Sequence, residues 1–397
     1  MKIGIIEVCE PNHYTAVIAL AETYATHPEN DITIFTTPAI QHLLTYPSRN
    51  IRVVLKKDNQ SMGAFLAAST HYTFDRLHIN TISDYYHEFA STSWTSPIYF
   101  TIHNINLWYG NSLMTRIKSL LFDYKELINI EQRKKHLLNP FILFIKDFKR
   151  QAYRNRFIKK ISVGEYKIIV YSESQKVTLS NSITANKIIV FPFCLHTPLE
   201  DQSINNKKLV VCIPGTVSTR RRNYVALFQV LEERISVFKD QLLLDLLGYI
   251  PPSDYFLEEQ IKHLQDLGLE IKYNFNFISS TEFDDRLSQA DIILGNLKSQ
   301  ISANSEYGKT KETGVIFNII KAGKPGLLPE GYPLDGDLKS ICQYFKNYEH
   351  LSDCLQHMIF HKEDIHILKK TAATLVQKYE PANLYKKLAE EHTHESP

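Results

Sequence analysis

The segment KLVVCIPGTVSTRRRNYVALFQVLEERI, residues 208–235, decides the fold. Residues 208–213 form a mostly apolar run that is typical of a buried strand, and Pro214-Gly215 ends the run. Apolar residues then recur at spacings of three and four, which predicts a helix with one buried face made of Tyr224, Leu227, Phe228, Leu231 and Ile235. A buried strand that leads directly into such a helix is typical of parallel sheets with crossover helices.

The same alternation of strand and helix extends on both sides of this segment. Before it, short apolar runs predict strands at 2–8, 31–37, 51–55, 98–102, 167–171 and 187–191. After it, we predict strands at 242–247, 269–275 and 291–294 and from Gly326, and helices at 254–266, 282–289, 314–322 and 362–392 with a break at Pro381. This alternation predicts the α/β class.

A polar, proline-containing stretch interrupts the alternation, which restarts at residue 208. We therefore predict two Rossmann-like, doubly wound domains, at 1–195 and 208–375, joined by a linker at 196–207. A C-terminal helix within 376–397 is predicted to pack back on the first domain. Ligands of open α/β sheets bind beyond the carboxyl ends of the strands, so we expect the two domains to face each other across a binding cleft.

Composition limits the possible functions. Hydrophobic residues make up 44% of the 397 and charged residues 22%, which excludes disordered and collagen-like chains. The 45 Lys and Arg against 43 Asp and Glu argue against a nucleic-acid binder. The cysteines are five and scattered, and no CxxC motif or Cys/His pair has zinc spacing, so we expect free thiols in a reducing compartment. Because neither a signal-peptide pattern nor an apolar run of ~20 residues occurs, we expect a cytoplasmic protein.

Residues 111–162 differ in character from the rest of the chain. Apolar residues keep helical spacing there, and thirteen Lys or Arg stand against four Asp or Glu. A basic amphipathic insert of this kind can lie on anionic lipid at the inner face of a membrane. It can also be a helix pair that packs on its own domain with a basic outer face, and the sequence leaves both interpretations open.

The loop from Gly215 to Tyr224 is a candidate phosphate site. It joins the strand at 208–213 to the following helix, whose N-terminal N–H groups and dipole favour anions. Residues 220–222 are all arginine, which adds charged donors suited to phosphate, and Gly215 allows a close approach of the backbone. The alternative is a basic turn that only faces water.

A second candidate loop, from Tyr307 to Gly314, precedes the helix predicted at 314–322. Its lysines, Lys309 and Lys311, could contact phosphate, and Glu312 could accept hydrogen bonds from sugar or ribose hydroxyls. The alternative is plain helix capping by Thr310 or Thr313. The GxxxxGK pattern of a P-loop is missing.

In the first domain, two histidines follow predicted strands. His13 lies in the run Glu10–Tyr14 after the first strand, and His103-Asn104 follows the strand at 98–102. Both are expected on the same rim of the cleft, where a histidine can act as a general base or bind a hydroxyl. A purely structural hydrogen-bonding role is the alternative. No G-x-S-x-G, H-E-x-x-H or G-x-G-x-x-G motif supports a hydrolase, zincin or dehydrogenase.

Residues 208–330 resemble the donor-nucleotide domain of GT-B glycosyltransferases, especially the large retaining family that includes many bacterial polysaccharide enzymes. Three features carry the resemblance: Gly215 followed by Arg222-Asn223, the run from Phe275 to Asp291, and Ala322-Gly323-Lys324-Pro325. The two glutamates of the family motif fall on Thr310 and Asn318 here, and Glu312 lies two residues from the first of these positions.

The resemblance implies a hexosyltransferase that moves a sugar from a nucleotide-sugar, its substrate, to a glycan, lipid-linked or protein acceptor, without a metal or cofactor. It implies that Arg222, taken as an exposed loop residue, stabilises the leaving diphosphate together with Lys309 or Lys311, and that His13 or His103 contacts the sugar or acceptor. The implied donor-binding residues are Gly215, Thr216, Arg221, Asn223, Lys311, Glu312, Thr313 and Gly314. The implied acceptor-binding residues are Asn12, Tyr14 and Asn104.

Two other functions remain open for a chain of this fold. One is a non-transferase GT-B enzyme such as a nucleotide-sugar 2-epimerase, which would turn over its substrate without an acceptor. The other is a degenerate GT-B protein that acts only as a binding or scaffold subunit. Polysaccharide biosynthesis is the expected setting for the transferase.

Overall fold

The computed structural model of the chain describes residues 1–45, 48, 50–109, 114, 117–118, 120–121, 139–192, 194–196, 207–302 and 305–393. Residues 197–206 of the predicted linker and most of 111–138 in the predicted basic insert lie outside this part. Everything said below about structure concerns the described residues.

The described part of the first half forms one parallel sheet in the order β3-β2-β1-β4-β5-β6-β7. Its strands are β1 (Lys2–Glu7), β2 (Asp31–Thr36), β3 (Ile51–Leu55), β4 (Arg76–Ile79), β5 (Ile98–Thr101), β6 (Tyr166–Val170) and β7 (Ile188–Val190). The helices are α1 (Tyr14–Ala25), α2 (Pro38–Gln41), α3 (Met62–Ser69), α4 (Tyr86–Ser91), α5 (Ile105–Trp108), α6 (Asn139–Ile161) and α7 (Glu173–Ser180).

The second half forms another parallel sheet, in the order β10-β9-β8-β11-β14-β15, and a small antiparallel pair, β12-β13. The strands are β8 (Leu209–Cys212), β9 (Leu242–Tyr249), β10 (Glu270–Asn274), β11 (Ile292–Leu294), β12 (Gln300–Ser302), β13 (Ser305–Glu306), β14 (Gly326–Pro329) and β15 (Cys342–Phe345). The helices are α8 (Tyr224–Glu233), α9 (Ile235–Phe238), α10 (Leu257–Asp266), α11 (Ser280–Ser288), α12 (Gly314–Ala322), α13 (Tyr348–Phe360), α14 (Lys362–Leu375) and α15 (Pro381–Thr393).

The predicted α/β class is confirmed. Every residue of β1 after Lys2 and of β2 after Asp31 is buried, because helices cover both faces of the sheet. Apolar residues of each half form separate clusters around their own sheet. The C-terminal helix α15 leaves the second half and buries Leu384 and Leu388 against α1 and the first sheet.

Strand β4 (Arg76–Ile79) lies in the middle of the first sheet, and the sequence did not predict it. Its sequence alternates polar and apolar residues, yet Arg76 and His78 are both buried. The Tyr24 hydroxyl contacts both of them, since it lies 3.2 Å from a terminal nitrogen of Arg76 and 3.0 Å from Nε2 of His78. A tertiary contact thus allows a polar sequence in a central strand.

Two further observations bear on the predictions from composition. All five cysteines are free, as predicted. None of the described helices combines the length and the apolar character that crossing a membrane requires.

Each sheet has one point at which the strand order reverses, between β1 and β4 in the first sheet and between β8 and β11 in the second. In open α/β sheets the crevice at such a point, beyond the carboxyl ends of the strands, is where ligands bind. These two crevices are therefore the positions at which a site is expected.

Candidate active site

The crevice of the second sheet begins with the turn after β8. Gly215 has φ of +94°, a conformation that favours glycine. A Cβ on Gly248 in the adjacent strand β9 would lie 2.4 Å from the Gly215 carbonyl oxygen, so this backbone sits close against the sheet. The two glycines therefore allow a close approach of the backbone and leave room for the guanidinium of Arg222, which would lie 3.2 Å from a Cβ on Gly215.

Arg222 holds this turn from inside. The sequence predicted an exposed side chain, and this is wrong, because Arg222 is only 7% exposed. One terminal nitrogen donates to the carbonyls of Gly215 and Thr216 at 2.8 and 2.6 Å, and the other donates to the carbonyl of Pro214. The guanidinium is thus committed to the backbone of its own loop, and its predicted role at the leaving group stays a prediction that this geometry does not favour.

The remainder of the loop is fixed by Asp254 and by a helix cap. Asp254 is buried and accepts hydrogen bonds from the Thr219 amide at 3.0 Å and from the Ser218 hydroxyl at 3.1 Å. The Asn223 side chain caps α8 by accepting from the Ala226 amide at 3.3 Å, which is a structural role. The exposed side chains of Arg220 and Arg221 are left at the apex of the loop.

In the loop before α12, as in the loop after β8, some residues are exposed and others make structural contacts. Lys309 is exposed and forms an ion pair with Glu306 at 2.8 Å. Thr313 caps α12 by accepting from the Val315 amide at 3.3 Å, as one of the two sequence interpretations proposed. Gly314, the first residue of the helix, has open space where a Cβ would be, so a ligand has access to this helix end.

Glu312 does not face the open cleft. It is buried, and its carboxylate accepts hydrogen bonds from the Tyr332 hydroxyl and, at 2.9 Å, from the Thr313 amide. Burial raises its pKa to about 7, although hydrogen bonds from Tyr332, Thr313 and Ser172 oppose the shift. It lines a cavity of about 50 Å³ between the two halves, too small for a sugar.

The two halves meet next to Lys311. The Ile105 amide donates to the Thr310 carbonyl at 2.8 Å, and Asn104 pairs with Lys311 as an isolated antiparallel bridge. The Asn104 side chain donates to the Ser305 hydroxyl at 3.1 Å and caps α5 by accepting from the Asn106 amide. Asn104 therefore joins the two halves, and this contact occupies the side chain that the sequence assigned to an acceptor.

The two predicted histidines lie together, with rings stacked at a centroid distance of 4.0 Å and an interplanar angle of 5°. The Asn80 carbonyl lies 2.9 Å from Nε2 of His103, so this nitrogen carries the proton, and Nδ1 accepts from the Tyr171 hydroxyl at 2.7 Å. Burial and the charge of Lys311 lower the pKa of His13 to about 4, and burial and His13 hold the pKa of His103 well below its ordinary value. Both imidazoles are neutral at pH 7.

Lys311 is the cation at the centre of this cluster. Burial, together with the charges of Arg221 and Arg220, lowers its pKa to about 8, and the charge of Glu10 opposes this shift. Three cations from two strand-end loops thus share one region beside His13. A bound anion would relieve their mutual repulsion, so the arrangement suits a phosphate or diphosphate.

The remaining predicted residues lie on the rim of the cleft. Asn12 belongs to a short 3₁₀ turn, Pro11–His13, that leads into α1. Tyr14 is half-buried, and burial and the charge of Asp284, a residue of α11 in the second half, raise its pKa. Thr216 is partly exposed at the turn after β8, where its carbonyl accepts from Arg222.

The sequence did not single out Glu7, the last residue of β1. Its carboxylate accepts from the amides of Cys9 and Glu10 at 2.9 and 3.0 Å, from the Thr81 hydroxyl at 2.7 Å and from the Asn80 amide group at 2.6 Å. Burial raises its pKa to about 7 despite these hydrogen bonds. A glutamate at the end of an otherwise apolar strand was the signal available in the sequence.

Comparison with solved structures identifies the fold. The chain is similar to HepE of Anabaena in complex with UDP-glucose, with a TM-score of 0.63 and 14% identity over 99% of this chain and 100% of that one. It is also similar to sucrose-phosphate synthase from Thermosynechococcus elongatus, with a TM-score of 0.59 and 13% identity over 99% and 98% of the two chains. A third similar structure is that of the lipopolysaccharide outer core galactosyltransferase WaaB, with a TM-score of 0.53 and 12% identity over 100% of both chains.

The chain has the GT-B fold, with two Rossmann-like domains on either side of a cleft, and this prediction is confirmed. Protein-family models and curated sequences were also compared, and none matches the chain. At 10–15% sequence identity, the similarity to these solved structures shows the fold alone.

Proposed function

We propose that this protein is a glycosyltransferase that transfers a hexose from a nucleotide-sugar to an acceptor. The observation that carries the proposal is the cluster of Lys311, Arg220 and Arg221 at the crevice of the second sheet, opposite His13. A similar fold has been solved with UDP and with UDP-glucose, which supports a nucleoside diphosphate sugar as the donor. Ligands of open α/β sheets are expected at this crevice.

In this mechanism, the acceptor hydroxyl oxygen bonds to the anomeric carbon of the sugar as the bond from that carbon to the diphosphate breaks, and negative charge grows on the terminal phosphate. The hydroxyl proton passes to the leaving phosphate or to water. Lys311 and the two exposed arginines stabilise that charge, and the helix dipole at the accessible N-terminus of α12, where Gly314 leaves open space, adds to the stabilisation. Because these cations neutralise the diphosphate, the proposed reaction needs no metal. This assigns to Lys311 the role that the sequence gave first to Arg222.

The two stacked histidines face the sugar in this proposal. Burial lowers the pKa of both imidazoles, which makes them neutral and weakly basic at pH 7, so His13 is suited to hold a sugar hydroxyl by a hydrogen bond and not to take up a proton. His103 already uses both ring nitrogens, so its role is to position His13 by stacking. Tyr14 and Asn12, on the rim, are proposed to contact the acceptor.

A membrane-bound acceptor is favoured by helix α6 in the basic insert. Arg154 and Phe157 pack inward, whereas Ile142, Ile145 and Phe148 are exposed at 46%, 51% and 45% among lysines and arginines. Exposed apolar side chains with basic neighbours suit anionic lipid. We therefore propose a cytoplasmic enzyme at the inner membrane face that acts on a lipid-linked glycan in polysaccharide biosynthesis.

Liposome binding tests the proposed membrane attachment separately from the transferase activity. The protein should co-sediment with anionic and not with neutral liposomes, and salt should release it. The variant Ile142→Ser/Ile145→Ser should bind less, whereas Val177→Ser, which removes an apolar residue 67% exposed on α7, should bind as the wild type does. Equal sedimentation with neutral liposomes, or none with either, would leave α6 as a helix packed on its own domain.

The activity is tested by offering a panel of nucleotide-sugars and measuring free nucleoside diphosphate with and without glycan and lipid-linked acceptors. A transferase releases the diphosphate much faster when its acceptor is present. Release of the diphosphate at an equal rate without any acceptor would favour a hydrolase. Conversion of the nucleotide-sugar to its epimer without release of diphosphate, followed by chromatography, would favour a 2-epimerase. Tight binding with no turnover in any combination would favour a scaffold subunit.

A further inference from the structure

The corner between α13 and α14 brings together three potential metal ligands that the proposed transferase does not use. His357 and His361 are one helical turn apart, and Asp364 follows in the first turn of α14. The two imidazole rings stack at 4.2 Å, and Nε2 of His357 lies 4.0 Å from a carboxylate oxygen of Asp364. One ligand atom from each of the three residues lies within 4.8 Å of the others.

The packing on both sides of the corner holds these residues in place. On α13, Leu355, Met358 and Ile359 are buried in the core of the second domain, so the opposite face carries the histidines outward. Ile365 anchors the start of α14 in the same core. His361 ends one helix and precedes the next, with its amide donating to the His357 carbonyl at 2.8 Å. The backbone positions of the three residues are thus set by the fold.

Two imidazoles and one carboxylate form a donor set that suits Zn²⁺ and neighbouring transition metals more than Mg²⁺ or Ca²⁺. Ligand atoms of a tetrahedral zinc site are about 3.3 Å apart, given metal–nitrogen distances near 2.05 Å. Exposed side chains can close the gap from 4.8 Å by rotation, since 59% of His357 and 63% of Asp364 are exposed.

We propose that His357, His361 and Asp364 bind one divalent transition-metal ion, with water in the remaining position. The ion ties the last turn of α13 to the first turn of α14, the helix that leads to the C-terminal helix α15. The sequence spacing H-x₃-H-x₂-D across a helix end is the signal, and it contains no cysteine, unlike the CxxC and Cys/His patterns of common zinc sites. The proposal is independent of any transferase activity.

The test is a calorimetric titration of the chelator-treated full chain with Zn²⁺, with nickel as a second probe. We expect one saturable site at pH 7.5, and His357→Ala or His361→Ala should weaken binding by more than about tenfold, a loss typical even of outer partners of a metal ligand. His366→Gln, the matched control on an exposed histidine of α14, should bind as the wild type does.

Two further measurements keep the outcomes distinct. Zn²⁺ should raise the melting temperature of the wild type and of His366→Gln but not of His361→Ala, and metal-free melts show whether each variant folds. The cobalt(II) complex should lack thiolate charge-transfer absorption, which would instead place the metal at a cysteine. The proposal is overturned if the wild type shows no saturable binding or if His357→Ala binds with unchanged affinity.

Discussion

The two crevices of this molecule have the same strand topology, but the side chains that lie in them carry opposite charges. In the first sheet, the carboxylate of Glu7 fills the crevice and accepts from the amides of Cys9 and Glu10 and from Asn80. In the second sheet, Gly215 and Gly248 allow the backbone to pack closely, and a guanidinium, that of Arg222, lies against Gly215 in place of a carboxylate. The backbone N–H groups that could bind an anion are therefore already used in the first domain.

The charges follow the same division. Glu7 is buried at the crevice of the first sheet and would repel a phosphate there whenever it is ionised. Arg220 and Arg221, in the loop after β8, lie near enough to Lys311 to lower its pKa, so positive charge collects at the second sheet. The shared fold alone therefore does not determine where a nucleotide binds, and the side chains at the ends of the strands determine it.

The largest expected effect is on catalysis. Lys311→Ala should lower kcat by roughly 10²–10³-fold, the range seen when one preorganised donor to a developing negative charge is removed. The matched control is Lys309→Ala, which removes an exposed lysine paired with Glu306 in the same loop and should leave kcat nearly unchanged. Steady-state release of nucleoside diphosphate measures both, and equal rates for the two variants would remove Lys311 from the site.

The next effect concerns stability at the crevice of the first sheet. The folded protein keeps Glu7 protonated up to a pKa of about 7, whereas its ordinary value is 4.5, so its contribution to stability falls as pH rises through this window. At 1.36 kcal/mol per pKa unit, the loss is roughly 3 kcal/mol. Glu7→Gln should abolish this loss of stability, because glutamine does not ionise. The new amide can be accommodated, since the Asn80 side chain can flip and accept from it with its oxygen, which has no hydrogen-bond partner among the described residues.

Urea unfolding of both proteins at pH 5 and at pH 8.5 measures this difference. The variant should gain stability relative to the wild type as pH rises. A constant difference between the two across the range would show that Glu7 is ionised in the folded protein, and the contrast between the two crevices would weaken.

A smaller stability effect is expected at the crevice of the second sheet. Arg222→Ala leaves the carbonyls of Pro214, Gly215 and Thr216 without their donor and should lower the free energy of unfolding by about 2 kcal/mol. Arg222→Lys should recover part of the loss. Arg221→Ala, at the exposed apex of the loop, should leave the free energy of unfolding unchanged. Wild-type stability with lost turnover in Arg222→Ala would instead support the catalytic role that the sequence predicted.

The smallest effect is the pH dependence of nucleotide binding. The pKa of Lys311 is about 8 without ligand, and a bound diphosphate favours its charged form. Affinity should therefore be full below pH 8 and fall by up to about tenfold by pH 9. Calorimetric titrations with the nucleoside diphosphate at pH 7 and pH 9 measure the change. Lys311→Met should show the weaker affinity at both values, and an equal fall in that variant would assign the titration to another group.

The fold was predictable because strands buried on both faces leave continuous apolar runs, such as residues 209–213. Strand β4 was not predictable, since its polar residues depend on the distant hydroxyl of Tyr24. The strand-end positions of the candidate site followed from a rule of topology. The direction of each side chain did not, because the turn of the loop buries Arg222 and exposes Arg221, its neighbour.

Lys309 and Lys311 show the same limit. The two are separated by one residue, and Lys311 alone joins the bridge to Asn104 that carries it into the cleft. Nothing in the local sequence distinguishes them, since the bridge partner lies about two hundred residues away in the chain. Contacts between the two halves decide which cation reaches the site.

A crystal structure of the protein with a bound nucleoside diphosphate tests the central claim most directly. We expect the diphosphate to lie between the ends of β8 and β11, with an oxygen within hydrogen-bonding distance of the Lys311 ammonium. We also expect Glu7 to keep its hydrogen bonds to Cys9 and Asn80. A diphosphate bound beside Glu7 at the end of β1, or out of reach of Lys311, would contradict the account.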